Sequence, residues 1–198
     1  MLLFFGLGNN DNKYLKTKHN VGRILVENLA REFNINWESK AGFYFSKSTL
    51  ENKLVGLIYS SGYMNNSGQP LASFLNYYKI PTEDLTLIIV QDDSDQNVGC
   101  YKLAQGGRSA GHRGLDSIFQ HSPGFDIKPE HIWRLKIGIR PIGNKLRSEH
   151  FVLQSLSNDE ILILKHLSDL IINNLSNIQN NKFDLIQNKI NAKKILPE

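Results

Sequence analysis

The sequence predicts a single α/β domain with a central mixed, largely parallel twisted sheet flanked by helices. Three observations carry this. Strand-like apolar runs alternate with amphipathic helical segments along the chain. Residues 85–90 (LTLIIV) are apolar throughout, the pattern of a strand covered on both faces. A hairpin pattern in the first third makes the sheet mixed rather than wholly parallel. The 198 residues fit one domain with a substantial core. Residues 180–198 read as a basic C-terminal tail or short helix.

Residues 2–5 (LLFF) form the first strand, which empties into the Gly6-x-Gly8 turn. A polar loop then leads to His19-Asn20-Val21-Gly22, the entrance to a helix over 21–33. Ile24, Leu25, Leu29 and Phe33 are its apolar stripe, and Arg23, Glu27, Arg31 and Glu32 take much of the other side. Residues 42–50 alternate and are rich in aromatics, and 54–59 are the hairpin partner. A small polar loop, 60–68, hands over to a helix over about 69–78, with Pro70 in its first turn. The strand 85–90 empties into the polar run 91–95. Residues 98–103 are a further strand, 105–111 a Gly/Ser/Arg loop, and 112–120 a short helix. Residues 122–129 are turn-rich, 132–139 (IWRLKIGI) alternate as a strand, and 143–149 form a polar, basic loop. Ser157-x-x-Glu160 is a capping box opening a long helix through about residue 178. Phe183, Leu185, Ile186 and Ile190 are anchors for a helix in the tail.

Composition excludes several classes. There is no run of about eighteen apolar residues, hence no membrane span. The chain opens as a strand, without a basic segment or small-residue cleavage site, and the expected compartment is the cytoplasm. A single cysteine, Cys100, rules out an internal disulfide and a cysteine metal cluster. A net charge of +4 permits a polyanionic partner without requiring one.

Three polar loops follow apolar strands, around His19, Asp92 and His112, and a fourth around Asn65 leads into a helix. If the strand ends share one sheet edge, these loops converge. His19 and Asp92 then suit a base and its orienter, since imidazole titrates near ~6.5 and a carboxylate on its other nitrogen fixes the tautomer. A structural histidine and an aspartate in a turn are the alternative. Asn9, Asn65 and Asn66 can donate and accept, which suits an amide or an oxyanion, but on residue type alone turn chemistry is the favoured reading. The Gly-x-Gly turn lacks the third glycine of a dinucleotide fingerprint, where Asp11 stands, and no helix opens after it. Asp92, Asp93 and Asp95 do not have EF-hand spacing. For polyanion contact the candidates are Lys102, Arg108, Arg113, Arg134, Lys136, Arg140, Lys145 and Arg147, and the tail lysines Lys182, Lys189, Lys193 and Lys194.

Taken together, these segments resemble the bacterial-type peptidyl-tRNA hydrolase family. FFGLGNNDNKYLKTKHNVG is similar to that family's G-L-G-N-P-G, Tyr, T-R-H-N-x-G opening. GYMNNSG resembles F-M-N-x-S-G, and QDDSDQNVGCYKL resembles the H-D-E-L-D stretch. GGRSAGHRGLDSI resembles G-G-x-x-G-H-N-G-L-x-S-I, and WRLKIGIRP resembles R-L-x-x-G-I-G-R-P. SEHFVLQSLSNDE resembles the step into the last long helix. The pieces follow in order over most of the chain. The resemblance implies hydrolysis of the ester between a peptide, or an N-blocked aminoacyl group, and the 3′ ribose of tRNA. It implies water as nucleophile, no cofactor, no metal, no membrane and a monomer. His19 matches the catalytic histidine and Asp92 the residue orienting it. Asn9 and Asn65 match asparagines that position substrate and water, and Tyr14, Met64, Gly111 and His112 match pocket or binding-loop positions. Lys102, Arg134 and Lys136 match places for tRNA phosphate. On this reading Gly6 and Gly8 let the chain turn so that Asn9 faces the pocket.

The chain departs from the pattern at several points. Arg113 stands where the family has a substrate-binding asparagine, Gln91 where it has histidine, and Asp93-Ser94 where it has Glu-Leu. Asn10 replaces a proline and Cys100 a basic residue. These changes leave a second reading open, that of a non-catalytic RNA-binding relative. A nucleotide-dependent α/β enzyme is a third.

Overall fold

The computed structural model describes residues 1–40, 42–50 and 53–191. A seven-stranded sheet runs through it in the order β2-β3-β4-β1-β5-β7-β6. The strands are β1 (Leu2–Gly6), β2 (Glu38–Lys40), β3 (Phe43–Leu50), β4 (Lys53–Ser60), β5 (Thr86–Asn97), β6 (Tyr101–Gln105) and β7 (Trp133–Arg140). The central four, β4-β1-β5-β7, are parallel, and antiparallel pairs close both flanks. The expected mixed α/β sheet is therefore what the chain forms. Because the central strands are parallel, their C-terminal ends share one edge.

Strand alternation divides the core in two. Leu2, Phe4, Ile88 and Val90 face α1 (Val21–Glu32), α4 (Asn158–Ile172), α5 (Leu175–Gln179) and α6 (Phe183–Asn191). Leu3, Phe5, Leu87 and Ile89 face α2 (Gly68–Tyr78) and α3 (Arg113–His121). The tail helix α6 is held by Phe183, which stacks on Trp133 with ring centroids 3.8 Å apart. Its Gln187 and Asn191 side chains bond the Leu103 carbonyl and N–H, covering the edge strand β6. Phe183, Ile186 and Ile190 are buried as anchors, whereas Leu185 is exposed. Lys193 and Lys194 lie outside the described residues.

Two local expectations are corrected here. Residues 91–95 are strand, because β5 continues alongside β7 through Asp92↔Ile137 and Asp93↔Gly138, with a register shift before Asn97. Ladder hydrogen bonds override the polar composition there. The long C-terminal helix stops at Ile172, where the Asn174 side chain donates to the Leu170 carbonyl at 2.8 Å and competes with the backbone ladder. The capping box at its start is present in full. The short exposed strand β2 was not anticipated.

The opening glycines have a different role from the one expected. Neither Gly6 nor Gly8 has positive φ. A Cβ on Gly6 would lie 2.6 Å from the Gly22 carbonyl oxygen, and one on Gly22 would lie 2.2 Å from the Val90 carbonyl oxygen. These residues let α1 press its first turn against the ends of β1 and β5. Gly22→Ala should therefore cost about 1–3 kcal/mol through overpacking. Thermal unfolding followed by circular dichroism should show a loss of roughly 2–12 °C in Tm, and an unchanged Tm would refute the close-contact account.

Candidate active site

Asp92 lies on the polar extension of β5, only 4% exposed, at the shared strand edge. A buried carboxylate needs donors. Its Oδ1 has two within reach, Nδ1 of His19 and Nε2 of His112, each at 2.9 Å. Since an ionised carboxylate only accepts, both nitrogens carry hydrogen. His19 is thereby fixed as the Nδ1–H tautomer. No hydrogen bond among the described residues occupies its Nε2, and the ring lines an open cleft.

His19 arrives on the 3-10 turn Lys18–Asn20, just before α1. That turn is strapped to the segment preceding α4. The His19 N–H donates to the Val152 carbonyl at 2.8 Å, Lys18 N–H to Gln154, and Leu156 N–H to Lys16. The Lys18 ammonium meets the Glu160 carboxylate of the α4 capping box. On the other side Asn20 bonds both backbone groups of Asn9, through Oδ1 and Nδ2, each at 2.8 Å.

His112 comes from the loop before α3. Ala110 (φ 52°) and Gly111 (φ 79°) are both left-handed and reverse the chain, so that His112 becomes the N-cap of α3. Its Nδ1 accepts from the Gly114 N–H at 3.1 Å and, more weakly, from Leu115 N–H at 3.4 Å. That nitrogen must be unprotonated, so the proton sits on Nε2 and points to Asp92. The rings of His19 and His112 lie 5.3 Å apart, centroid to centroid.

The electrostatics follow. Burial disfavours the His19 imidazolium, but the Asp92 carboxylate outweighs it and raises its pKa above the ordinary value, against opposition from Arg113. Burial likewise pushes the Asp92 carboxyl up, yet the two imidazoles hold it well below the usual carboxylate range. His19, Asp92 and His112 offer ligand atoms within 4.8 Å of one another. They do not suit a metal ion. Nε2 ligation by His112 would move its proton to Nδ1, against the two backbone N–H groups that point there.

The cleft has a volume of about 410 Å³. Its lining includes Ser109 to Arg113, then Ser148, Glu149, Val152 and Leu153, with His19, Asp92 and Asp93. Of the residues expected from sequence, His19, Asp92, Gly111, His112, Arg113 and Lys136 meet here. Asn9, Tyr14, Met64 and Asn65 lie outside this lining. Asn9 is buried, and its Oδ1 accepts the Met64 N–H at 2.9 Å. Its amide nitrogen is therefore the end left to donate. Asn65 is exposed and its side chain has no partner among the described residues, while Tyr14 is half-buried beside Lys13.

The basic residues divide. Lys102 is exposed on β6. Arg134 is 5% exposed and donates to the Arg108 carbonyl at 2.9 Å, so it holds the 105–111 loop from beneath. Lys136 is paired with Asp93 at 2.7 Å. Arg134 is thus buried under that loop, whereas Lys136, expected like it to meet phosphate, lines the cleft while paired with Asp93. Sequence reasoning missed the bonds of Asn20 to Asn9 and of Lys18 to Glu160. The only signal for the second was Glu160, read as a helix cap alone.

Comparison with known proteins gives a consistent result. The family model described as Peptidyl-tRNA hydrolase matches residues 3–198. A peptidyl-tRNA hydrolase of Mycoplasma capricolum is 32% identical over 193 residues, 96% of this chain and all of the relative. A crystal structure of a peptidyl-tRNA hydrolase complex with N-propanol has a TM-score of 0.84 and 31% identity, covering 99% of this chain and 97% of that one. The Acinetobacter baumannii peptidyl-tRNA hydrolase structure has a TM-score of 0.83 and 31% identity, covering 98% of this chain and 96% of that one.

The His19–Asp92 contact makes a measurable claim. By NMR, His19 should titrate above the ordinary ~6.5, and Asp92→Asn should bring it down. The raised pKa stabilises the fold fully below about pH 6.5, and that contribution is lost as pH rises through the folded value. A His19 that titrates at or below ~6.5 would sink the claim.

Proposed function

Since the chain belongs to the peptidyl-tRNA hydrolase family, we propose that it cleaves the ester between the acyl group and the tRNA 3′ ribose with His19 as general base. The single observation behind this assignment is the Asp92 contact to Nδ1, which leaves His19 Nε2 as the basic nitrogen at the cleft. Water held at Nε2 gives up a proton as it attacks the ester carbonyl. Asp92 stabilises the imidazolium that forms. The tetrahedral oxyanion then collapses, the bond to the ribose 3′ oxygen breaks, and the imidazolium protonates that oxygen. No metal or cofactor enters, because water is the nucleophile and the base belongs to the protein.

Asn9 offers its amide N–H to the substrate, since its carbonyl oxygen is committed to Met64. Asn65, exposed nearby in sequence to Met64, holds substrate or water. Tyr14, Met64 and Gly111 complete the binding surface in this reading. Arg113 and Lys102, both exposed, with Arg108, Lys145 and Arg147, attract the phosphates of the tRNA 3′ end and acceptor stem. The working form is a monomer in the cytoplasm. Among the described residues no helix is long and apolar enough to cross a membrane. A non-catalytic RNA-binding role is not favoured, because the His–Asp pair is intact and the matched relatives carry the hydrolase name.

Hydrolysis of an N-blocked aminoacyl-tRNA tests this. His19→Ala should lower kcat on the order of 10²–10⁴-fold, and unchanged turnover would overturn the assignment of the base. KM should rise with salt. Arg113→Asn should flatten the slope of log KM against log salt by about 0.7–0.9, the amount expected for one phosphate contact. An unaltered slope would remove Arg113 from the phosphate site.

A further inference from the structure

Both ring nitrogens of His112 are engaged, and in opposite senses. Nδ1 accepts from the first backbone N–H groups of α3, and Nε2–H donates to Asp92 Oδ1. Protonating the ring would set a new N–H against the N–H groups of Gly114 and Leu115, at the positive end of a helix dipole. In this arrangement His112 meets Asp92 as an Nε2–H donor while its Nδ1 accepts. The oxygen it serves is the one that accepts from His19. A carboxylate oxygen shared between two donors is a weaker acceptor for each, and favours a neighbouring imidazolium less.

We propose that His112 is a positioning residue: from the cap of α3 it fixes Asp92 Oδ1 and tempers that carboxylate's pull on the His19 imidazolium, so that the base holds its proton less tightly. A base works best when its pKa lies near the operating pH. The inference rests on the reading of His19 as the base, and it replaces substrate contact as the role of His112. The other charged groups sharing the cleft with His19 are Arg113 at α3, Asp93 and Asp95 on β5, Lys136 on β7 and Glu149 in the turn before α4. Lys136 and Asp93 neutralise each other. None of these changes when His112 is substituted, so the comparison isolates one contact.

His112→Asn separates the two duties. Asparagine ranks among the best helix N-caps, but its side chain ends one bond short of the Nε2 position and loses Asp92. His112→Ala loses both. Three quantities are measured on the intact chain: Tm, the His19 titration by NMR, and the pH profile of kcat/KM on N-blocked aminoacyl-tRNA. For His112→Asn the expected result is a Tm close to the parent and a His19 midpoint raised by about half to one pH unit. The acid limb of the profile should rise with it, and activity well below the His19 midpoint should fall by roughly three- to tenfold. His112→Ala should show the same shifts with a lower Tm. A His19 midpoint that stays put or falls overturns the proposal. So does a raised KM with an unmoved profile, which would make His112 a substrate contact. A raised His19 midpoint with an unmoved profile supports the His112–Asp92 link and refutes His19 as the base.

Discussion

The constraint on which the site depends is the burial of one carboxylate. Asp92 is 4% exposed at the end of an apolar strand, where an unpaired charge would be costly. Its ionised form persists because two imidazole N–H groups reach one oxygen. Each donor must then be held in place, and most of the local structure serves that need. His19 is held by a backbone strap to residues 152–156 and by the Lys18–Glu160 ion pair. His112 is held by the helix that it caps. The carboxylate in turn fixes which nitrogen of His19 can act as a base, so packing sets the chemistry.

The sheet order explains why the donors can converge. Strands β4, β1, β5 and β7 are parallel, so the segments that leave them emerge at one edge. Asn9 follows β1, Met64 follows β4 and Asp92 ends the apolar part of β5. The Met64 N–H then reaches Asn9 across two loops, and Gly22 lets α1 start against the Val90 carbonyl. A bulkier residue at 22 would push α1, and with it the turn bearing His19, away from Asp92. The opening glycines therefore act through the distance between His19 and its partner rather than through a phosphate cradle or a special turn.

Much of this was legible in the sequence. Period-two and period-3.6 patterns located the main strands and helices, and the polar loops after apolar strands located His19, Asp92 and His112. What failed failed for identifiable reasons. Residues 91–95 look like a loop because the pairing with β7 lies far away in the chain and leaves no local trace. The last long helix looks continuous because its apolar stripe runs past Asn174, whose side chain ends it. The capping bonds of His112 were not foreseen because a ring nitrogen capping a helix has no sequence signature. Arg134 was read as a surface cation because its burial depends on what covers that face of β7, the 105–111 loop.

With Arg134 buried and Lys136 paired with Asp93, the unpaired basic charge lies elsewhere. Lys102, Arg108, Arg113, Lys145 and Arg147 are exposed, and of these only Arg113 belongs to the cleft that holds His19. It occupies the first position of α3, where the helix dipole disfavours a cation by about 0.3–1 kcal/mol. Among the described residues it has no carboxylate partner. It also opposes the charging of His19. An unpaired cation at a helix N-terminus beside a base is a local cost to the free protein. An anion entering the cleft reverses that cost, because it meets the guanidinium and the helix terminus together. The phosphates of a tRNA 3′ end would supply that anion. The same guanidinium resists a second positive charge nearby and so opposes the charging of His19. Arg113 is thus the side chain on which an anion in the cleft and the charge of His19 would both act.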